Sequence, residues 1–559
     1  MYKQVFDPVG DSLGLSSIFA AIPILALFVL LGGLKMKAYI ASLIALGLAI
    51  LVAIIVYSMP AGQAFDAGLE GATFGLFPIM WIVFTALWIY NMTVETGHFA
   101  VLRRAFNSVS DDQRVQAVII AFSFGALLEA LAGFGTPVAI TAVMLIAVGF
   151  QPIKAASVAL VANTAPVAFG AIAIPIVTLS ELTGIDKGDL GSMVGRQTPL
   201  LALFVPLILV GMVDGMRGVR QAWPAAVVGG FTFAIGQFVC SNYISVELTD
   251  IVASLLSAGS IVALLQVWHP TKPLQGEVAA GGPRPAIAGA SVADATHEIE
   301  VRRRSDDTVD TSAEKAAAFA PYLIIIAVFA FAQWGPIKDF LAARGTEFDW
   351  PGLDILNPKG EAPGSATYKF GWAGAAGTLL LVSGLLTMLV LRFNPMRAVR
   401  VFLRTLDELK FATLTVASVL ALAYVMNLSG QTITLGQWIA GAAGLLGFLS
   451  PIIGWLGVAV TGSDTSSNSL FGTLQVAAAQ KAGYNPTLLA AANSSGGVLG
   501  KMISPQNLAI GAAAVGLGGR EGDLFRKVFV WSIVLVLIMC VLVYLQSTSV
   551  LDWMVVKSK

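Results

Sequence analysis

The chain has 559 residues, of which 57% are hydrophobic and only 12% are charged, and its mean hydropathy is +0.81. Because a soluble domain carries about twice that charged fraction, the composition excludes a water-soluble protein and indicates an integral membrane protein in contact with a lipid bilayer. The 33 basic and 33 acidic residues cancel, and no basic-aromatic cluster indicates a nucleic-acid partner.

Apolar segments of about 20 residues, the length needed to cross about 30 Å of hydrocarbon, recur along the whole chain. Some should be half-length re-entrant pieces, which leaves about 12–14 transmembrane segments in an all-α polytopic membrane protein. The candidate segments are 15–34, 38–57, 72–92, 115–132, 138–150, 155–180, 198–213, 222–241, 251–268, 318–335, 371–391, 411–427, 436–461, 468–482, 487–517 (with a break) and 528–548.

One long polar segment, 270–317, divides these candidates. It is rich in Gly, Pro, Ala, Asp and Glu and has no apolar periodicity, which predicts a disordered linker. Basic residues cluster in this segment and in alternate loops, whereas the loops 58–71 and 242–250 carry acids. The positive-inside rule therefore places the linker in the cytoplasm, and the N-terminus and the loop 336–370 outside.

A pattern of small and polar residues occurs twice, about 330 residues apart. The first copy reads GFGTPVAI at 133–140 and VANTAPVAFGAIAIP at 161–175. The second reads GSDTSSNS at 462–469 and AANSSGGVLGKMISP at 491–505. In each copy a glycine follows the asparagine by seven residues and a proline follows it by twelve. Paired interruptions in corresponding halves of a membrane protein indicate the substrate site of a transporter.

The predicted orientation gives the two halves opposite topology. We expect inverted repeats with broken helices or re-entrant hairpins at 1–215 and 318–559, two connecting transmembrane helices at 216–269, and the cytoplasmic linker at 270–317. Such repeats place the substrate site near the middle of the membrane.

Two carboxylates lie within the repeated segments. Glu129 precedes the first interruption and Asp464 lies in the second. A carboxylate at membrane depth is costly unless it is paired or protonated, so both are candidates for proton coupling. The alternative, purely structural roles are an ion pair for Glu129 and a helix N-cap for Asp464. The apolar neighbours of Glu129 favour it over Asp464 as the proton carrier.

Hydroxyls, amides and glycines of the same segments are candidate substrate ligands, because they offer hydrogen bonds or close backbone approach to a small anion. Lys501, the single basic residue of the repeated segments, would neutralise the substrate carboxylate or pair with Asp464 or Glu129. The alternative for the polar residues is packing between helices. The candidates are Gly133, Gly135, Thr136, Asn163, Thr164, Ser463, Thr465, Ser466, Asn493, Ser494, Ser495 and Lys501.

Five segments closely resemble the bacterial L-lactate permeases: EALAGFGTPVAITA (129–142), VANTAPVAFGAIAIPI (161–176), VGRQTPL (194–200), VTGSDTSSNSLF (460–471) and GKMISPQNLAIGAAAVGL (500–517). The resemblance covers the whole chain apart from the linker. It implies a secondary transporter, not an enzyme, that imports L-lactate, and also D-lactate and glycolate, by proton symport across the bacterial inner membrane. An elevator motion would suit the inverted repeats.

Two alternatives stay open on the residues alone. A sodium-coupled carrier of another small carboxylate would use Asp464 and freed backbone carbonyls to bind Na⁺. A lactate-binding anion channel or sensor would need a basic pore ring or a signalling domain, and neither is visible. The chain has no phosphate-binding glycine loop and no histidine or cysteine spacing for a metal, so no cofactor is expected. The sequence leaves oligomerisation open.

Overall fold

The structure is a computed structural model whose described residues form α-helices and four short β-strands. Most of the predicted linker, residues 275–309, lies outside the described residues. The residues described are 1–34, 36–131, 133, 135–274, 310–332, 334–358, 360, 362–363, 366–518 and 520–557.

Thirteen helices precede the linker in the described part of the chain. They are α1 (Leu13–Phe28), α2 (Ala38–Ile55), α3 (Ala61–Phe74), α4 (Trp81–Glu95), α5 (His98–Asn107), α6 (Gln113–Gln116), α7 (Gly125–Leu131), α8 (Thr136–Ala147), α9 (Pro152–Ala162), α10 (Gly170–Thr183), α11 (Lys187–Val194), α12 (Thr198–Tyr243) and α13 (Thr249–Leu264). Three π-helical turns continue α1, lie between α3 and α4, and join α6 to α7: Val29–Gly33, Gly75–Met80 and Ala117–Phe124.

The first helix after the linker begins at Ser312, so the predicted linker extends too far at its C-terminal end. The helices that follow are α14 (Ser312–Ala332), α15 (Gly335–Ala342), α16 (Ala376–Val390), α17 (Pro395–Glu408), α18 (Lys410–Ser429), α19 (Gln431–Ile439), α20 (Leu446–Thr461), α21 (Asp464–Ala482), α22 (Pro486–Gly500), α23 (Pro505–Ala514) and α24 (Glu521–Gln546). The strands are β1 (Tyr2–Lys3), β2 (Thr346–Asp349), β3 (Ile355–Leu356) and β4 (Thr367–Phe370).

Eight helical stretches among the described residues are long and apolar enough to cross a membrane, or nine if the bent pair Pro152–Ala162 and Val167–Thr183 forms one span. The prediction of an all-α polytopic membrane protein is therefore confirmed. The eight stretches are Leu13–Gly33, Ala38–Ile55, Ala61–Glu95, Gln113–Leu131, Lys187–Tyr243, Ser312–Ala332, Lys410–Ser429 and Glu521–Gln546.

One of these stretches is far too long for a single crossing. Lys187–Tyr243 has 57 residues, whereas about 20 suffice to span the hydrocarbon. Its backbone leaves the helical conformation at Asp214 and Gly215, between the two candidate segments that the sequence predicts there. The total of about 12–14 crossings stays a prediction.

The two copies of the repeated pattern have the same order of elements. In the first, α7, a break, α8, a turn, α9 and a 3₁₀ turn lead to α10; in the second, α20, α21, α22 and α23 follow the same course. Gly149 and Gly483 occupy the two turns with φ of 91° and 78°, a conformation that glycine adopts without steric cost. Their inverted orientation stays a prediction.

The two copies also pack directly against each other. Helix α10 of the first copy lies against α21, and α23 of the second lies against α8 and α9. Within the second copy α20 and α22 approach through glycines, since a Cβ on Gly454 or Gly496 would overlap backbone atoms of the facing helix. Small residues allow this close approach of helices in membranes, and it brings both breaks to one place.

Two groups of contacts join polar segments that are distant in the chain, one at the N-terminus and one around Arg114. β1 pairs with β3 in parallel, so the N-terminus lies beside the 336–370 loop, which the sequence places on the same side. Elsewhere Arg114 binds Asp112 at 2.5 Å and Asp214 at 3.2 Å. Burial opposes ionisation of Asp112, but the hydrogen bonds from Arg114 and the backbone outweigh it and lower the pKa of this carboxyl.

Candidate functional site

A small cavity lies where the breaks of the two copies meet. Its volume is about 60 Å³, where roughly 10–15 Å³ is enough for one water molecule. A small anion of a few heavy atoms is therefore of the right scale. Six of the predicted site residues line it: Glu129, Gly133, Ser463, Asp464, Thr465 and Lys501.

Glu129, in the last turn of α7, connects the two copies. Its Oε1 accepts a hydrogen bond from Lys501 Nζ at 2.6 Å, and its Oε2 accepts one from Asn163 Nδ2 at 2.9 Å. A side chain at Gly170 would meet this carboxylate, since a Cβ there would lie 2.9 Å from Oε1. Of the three partners that the sequence leaves open for Lys501, the structure thus places Glu129 in contact.

The Glu129–Lys501 ion pair is nearly closed off from solvent. The two side chains are 4% and 8% exposed. Removing water from two charges is costly, and removing one partner of such a pair costs about 3–5 kcal/mol because the other charge stays buried and unpaired. Lys501 begins the 3₁₀ turn after α22, so the positive charge of its ammonium group lies at the break that follows this helix.

Asp464 is the second buried carboxylate of the cavity. Its Oδ2 accepts hydrogen bonds from Ser494 Oγ at 2.5 Å and, at the longer distance of 3.5 Å, from Asn468 Nδ2. Its Oδ1 has no hydrogen-bond partner, and no ion pair to it occurs in the part of the chain that the structure describes. A Cβ on Gly497 would overlap Oδ1, so α22 passes directly over this carboxylate.

The N-cap interpretation of Asp464 is wrong. Ser463 is the N-cap of α21, and its hydroxyl accepts from the backbone N–H of Ser466 at 3.3 Å. Asp464 is instead the first helical residue, where the helix dipole favours a negative charge. The side chain is therefore free to face the cavity.

The asparagines of the two copies have different surroundings. Asn163 binds Glu129, and its Oδ1 has no partner among the described residues. Asn493 donates to Asn468 Oδ1 at 2.9 Å and accepts from Gln475 Nε2 at 3.4 Å. It belongs to a buried network of the second copy and does not line the cavity.

The remaining predicted ligands do not line the cavity. Thr164 donates to the carbonyl of Val161 at 2.7 Å, and Ser495 Oγ is buried without a partner in the described chain. Gly135 has φ of 84° and directly precedes Thr136, the first residue of α8. Ser466 acts in the cap already described, and Ser494 reaches the cavity through Asp464 alone.

Three features of the site were not predicted from the sequence. Gln506 lines the cavity, and Asn468 Nδ2 donates to the carbonyl of Pro175 at 3.1 Å, which links α21 to α10. The third is a left-handed turn at Ala171, Ile172 and Ala173, with φ of 45°, 58° and 58°. Each such residue costs about 1–3 kcal/mol. The only sequence signal for it is the preceding Gly170 and the proline that follows.

A second, larger cavity of about 910 Å³ lies beyond α10; we call it the vestibule. Its wall includes the charged residues Glu181, Asp186, Lys187, Glu247 and Lys369. Helix α10 borders both cavities, with its first residues at the small one and its last turns at the vestibule. In the described chain no group of three His, Cys, Asp or Glu side chains is arranged to hold a metal ion.

A model of the L-lactate permease family matches residues 16–550. The chain belongs to the L-lactate permease family. The L-lactate permease of Bacillus subtilis (strain 168) is 40% identical over 99% of this chain and 100% of its own length. The L-lactate permease of Escherichia coli (strain K12) is 41% identical over 99% and 100%, and the glycolate permease of the same strain is 41% identical over 98% of each chain.

Family membership and the apolar helices together make this chain a multi-pass membrane permease. The resemblance stated from the sequence motifs is thereby confirmed. All the lining residues named above fall within the matched range 16–550, so the cavity is part of the family's shared region.

Proposed function

We propose that the chain is a proton-coupled importer of small monocarboxylates, L-lactate above all, with D-lactate and glycolate as further substrates. The names of the relatives support this substrate class, because L-lactate and glycolate permeases match nearly the whole chain at similar identity. The bacterial sources of these relatives favour the inner membrane as its location.

The Glu129–Lys501 ion pair carries the proposal. Among the described residues Lys501 is the single cation that lines the small cavity, so a substrate carboxylate entering it competes with Glu129 for the same ammonium group. A charge-assisted hydrogen bond to that group would hold the anion. Thr465 and Ser463 also line this cavity, and their hydroxyls are suited to bind the substrate hydroxyl.

Competition for Lys501 couples the anion to a proton. Once the ammonium binds substrate, Glu129 is left as a buried carboxylate without a cation, which is costly. Taking up one proton removes that cost. One monovalent anion and one proton then move together, so the step is electroneutral, and the proton leaves when Lys501 returns to Glu129 on the other side.

Asp464 is the competing candidate for the coupled proton, because it has no cation partner in the described chain and one oxygen is unbonded. The apolar flanks of Glu129 favour Glu129, and its contact with Lys501 adds a reason that Asp464 lacks. In this scheme Asp464 keeps its bond to Ser494 and supports the N-terminus of α21.

The same oxygen supports a second candidate function, a sodium-coupled carrier. Asp464 Oδ1 and Ser495 Oγ are both buried oxygens without partners in the described chain. Oxygen ligands at a helix break are the usual Na⁺ site of inverted-repeat transporters. This function differs from proton symport in the ion that must be present for uptake.

We further propose that 1–215 and 318–559 move as inverted repeats in an elevator motion, joined by the helices of 216–269 and a cytoplasmic linker at 270–317. The matching order of elements in the two copies supports the repeat.

One experiment separates these functions. The purified protein is reconstituted in proteoliposomes, and an inward lactate gradient is imposed with and without Na⁺ while the internal pH is recorded. Proton symport acidifies the interior at the same rate in both conditions. Acidification that is absent, together with lactate uptake that requires Na⁺, would overturn the proposal, and glycolate and D-lactate tested in the same way define the substrate range.

A further inference from the structure

A third buried carboxylate lies next to the site but outside both repeats. The sequence predicts that Asp250 ends the acidic loop 242–250, but the structure places it inside a helix. The external position of this loop stays a prediction. Asp250 lies in the first turn of α13 and is 0% exposed. α13 packs against α7, the helix that carries Glu129. The proposed coupling step assigns no role to Asp250.

Asp250 connects to the first break through one glutamine. Gln237 Nε2 donates to Asp250 Oδ1 at 3.0 Å and lies 3.3 Å from the carbonyl oxygen of Ala165. Gln237 Oε1 accepts from Thr198 Oγ1 at 3.1 Å, which fixes the orientation of the amide. Ala165 is in the same break as Asn163, the residue that binds Glu129.

The second oxygen of Asp250 is unsatisfied. Oδ2 has no hydrogen-bond partner, and no lysine or arginine pairs with Asp250 within the described residues. Asp250 and Glu129 are both buried, and they lie on helices that pack against each other. Two nearby buried carboxylates are not both ionised at low cost. Because Glu129 has Lys501 as its cation and Asp250 has none, Asp250 is the one that holds a proton while Glu129 is charged.

We propose that Asp250 is the proton donor to Glu129 during substrate binding. The inference rests on the proposed function, in which Glu129 loses Lys501 to the substrate carboxylate. The proton leaves a carboxyl oxygen of Asp250 and bonds to a carboxylate oxygen of Glu129, so the charge moves from one to the other. Asp250, now an unpaired buried anion, then takes a proton from hydronium in the vestibule water.

The position of α13 favours the vestibule as the proton source. Glu247, three residues before Asp250, lines the vestibule and pairs with Lys187. Burial opposes ionisation of Glu247, but Lys187 outweighs it and lowers the pKa of this carboxyl. Glu247 therefore stays charged, and the proton comes from the water beside it.

The other titratable groups around Asp250 are few. Cys240 on α12 interacts electrostatically with both Asp250 and Glu247. Helices α7 and α10 also pack on α13, and their titratable residues are Glu129 and Glu181. The π-helical turn Ala117–Phe124, which also packs on α13, carries no titratable residue.

The test compares Asp250→Asn and Asp250→Glu with Asp407→Asn, which removes a carboxylate that is 75% exposed on α17. Each variant is reconstituted, and two rates are measured: lactate uptake driven by a pH gradient, and lactate counterflow at equal pH. Asp250→Asn should slow pH-driven uptake by about 100-fold, a typical contribution of a positioned proton donor, while counterflow falls far less. Asp250→Glu should recover much of the uptake, and Asp407→Asn should match the unaltered protein in both assays.

Equal losses in the two assays would assign Asp250 a structural role and overturn the inference, as would normal pH-driven uptake in Asp250→Asn. The proposed function is judged separately, by whether lactate binding to the unaltered protein weakens as the pH rises. If the unaltered protein shows this pH dependence and Asp250→Asn transports normally, the proposed coupling at Glu129 stands and the role of Asp250 as proton donor is rejected.

Discussion

Replacing Glu129 with glutamine tests the competition for Lys501 directly. Glutamine keeps the size of the side chain and can still accept from Asn163, but it carries no charge. Lys501 then loses the carboxylate with which it pairs in the resting cavity and is available to a substrate anion at every pH. The variant should bind lactate more tightly than the unaltered protein and lose the ability to use a pH gradient.

The geometry sets the size of the effect. Glu129 accepts two hydrogen bonds, and substrate binding breaks only the one from Lys501, at 2.6 Å. Hydrogen bonds to charged groups contribute about 1.5–3 kcal/mol, and about 1.4 kcal/mol corresponds to a factor of ten. Lactate affinity should therefore rise about 10- to 100-fold in Glu129→Gln at pH values where Glu129 is ionised.

Linkage gives the pH dependence its sign. In the unaltered protein one proton is taken up with each anion, so the Kd for lactate should rise with pH, by up to about tenfold per unit. In Glu129→Gln no proton is taken up at this site, and the Kd should be flat. Calorimetric titration with lactate between acid and alkaline pH measures both properties.

Transport assays complete the comparison. Glu129→Gln should fail to concentrate lactate when driven by a pH difference, but should retain counterflow, which needs no net proton movement. Asp464→Asn is measured in parallel. If this variant, and not Glu129→Gln, loses pH-driven uptake but retains counterflow, Asp464 is the proton carrier. Uphill uptake by Glu129→Gln, or a Kd that still rises with pH, would refute the reasoning.

Three further expectations follow from named contacts. Single cysteines placed in 270–317 should resist a membrane-impermeant reagent applied from the periplasm while those in 336–370 react; labelling of the linker would contradict the inverted repeat. Asn163→Ala should weaken lactate binding by about 1–3 kcal/mol, and Asn493→Ala by a similar amount through loss of its buried network; unaltered affinity in both would leave them as packing residues. Asp112→Asn should lower the thermal midpoint in detergent. Arg114 keeps its contact with Asp214 but loses its hydrogen bonds to an ionised Asp112, and such bonds contribute about 1.5–3 kcal/mol each. The folded-state pKa of Asp112 is lowered, so the stability that its carboxylate contributes is present above the unfolded pKa and is lost as the pH falls through the folded pKa. A thermal midpoint in Asp112→Asn equal to that of the unaltered protein would contradict this prediction.

The helices and their breaks could be predicted because local chemistry decides them. The sequence predicts a break in the candidate segment 487–517, and the segment divides into α22, a 3₁₀ turn and α23. Pro505 has no N–H to continue a helix, and the serine before it caps the next one. In the first copy Pro166 acts similarly, and the helices on either side of it meet at 64°.

The pairing of side chains could not be predicted in the same way. Lys501 and Glu129 are 372 residues apart in the chain, and their contact depends on how the two copies of the repeated pattern pack together. Asp250 was missed for a related reason, since its neighbours in sequence are polar and read as a loop. Only the packing of α13 on α7 reveals that it is fully buried.

The Glu129–Lys501 ion pair that lines the cavity is better explained by an exchange of the partner of Lys501 than by a contribution to the stability of the fold. A buried pair contributes little net stability compared with apolar side chains of similar volume. Here it lies beside three consecutive left-handed residues of α10, which cost further energy. Costly features that coincide at one point are expected at functional sites. A permanent structural link between the copies would need neither the cavity nor the strain, whereas a lysine that must alternate between Glu129 and a substrate anion needs an open face. The cavity of about 60 Å³ that Lys501 and Glu129 both line provides that face.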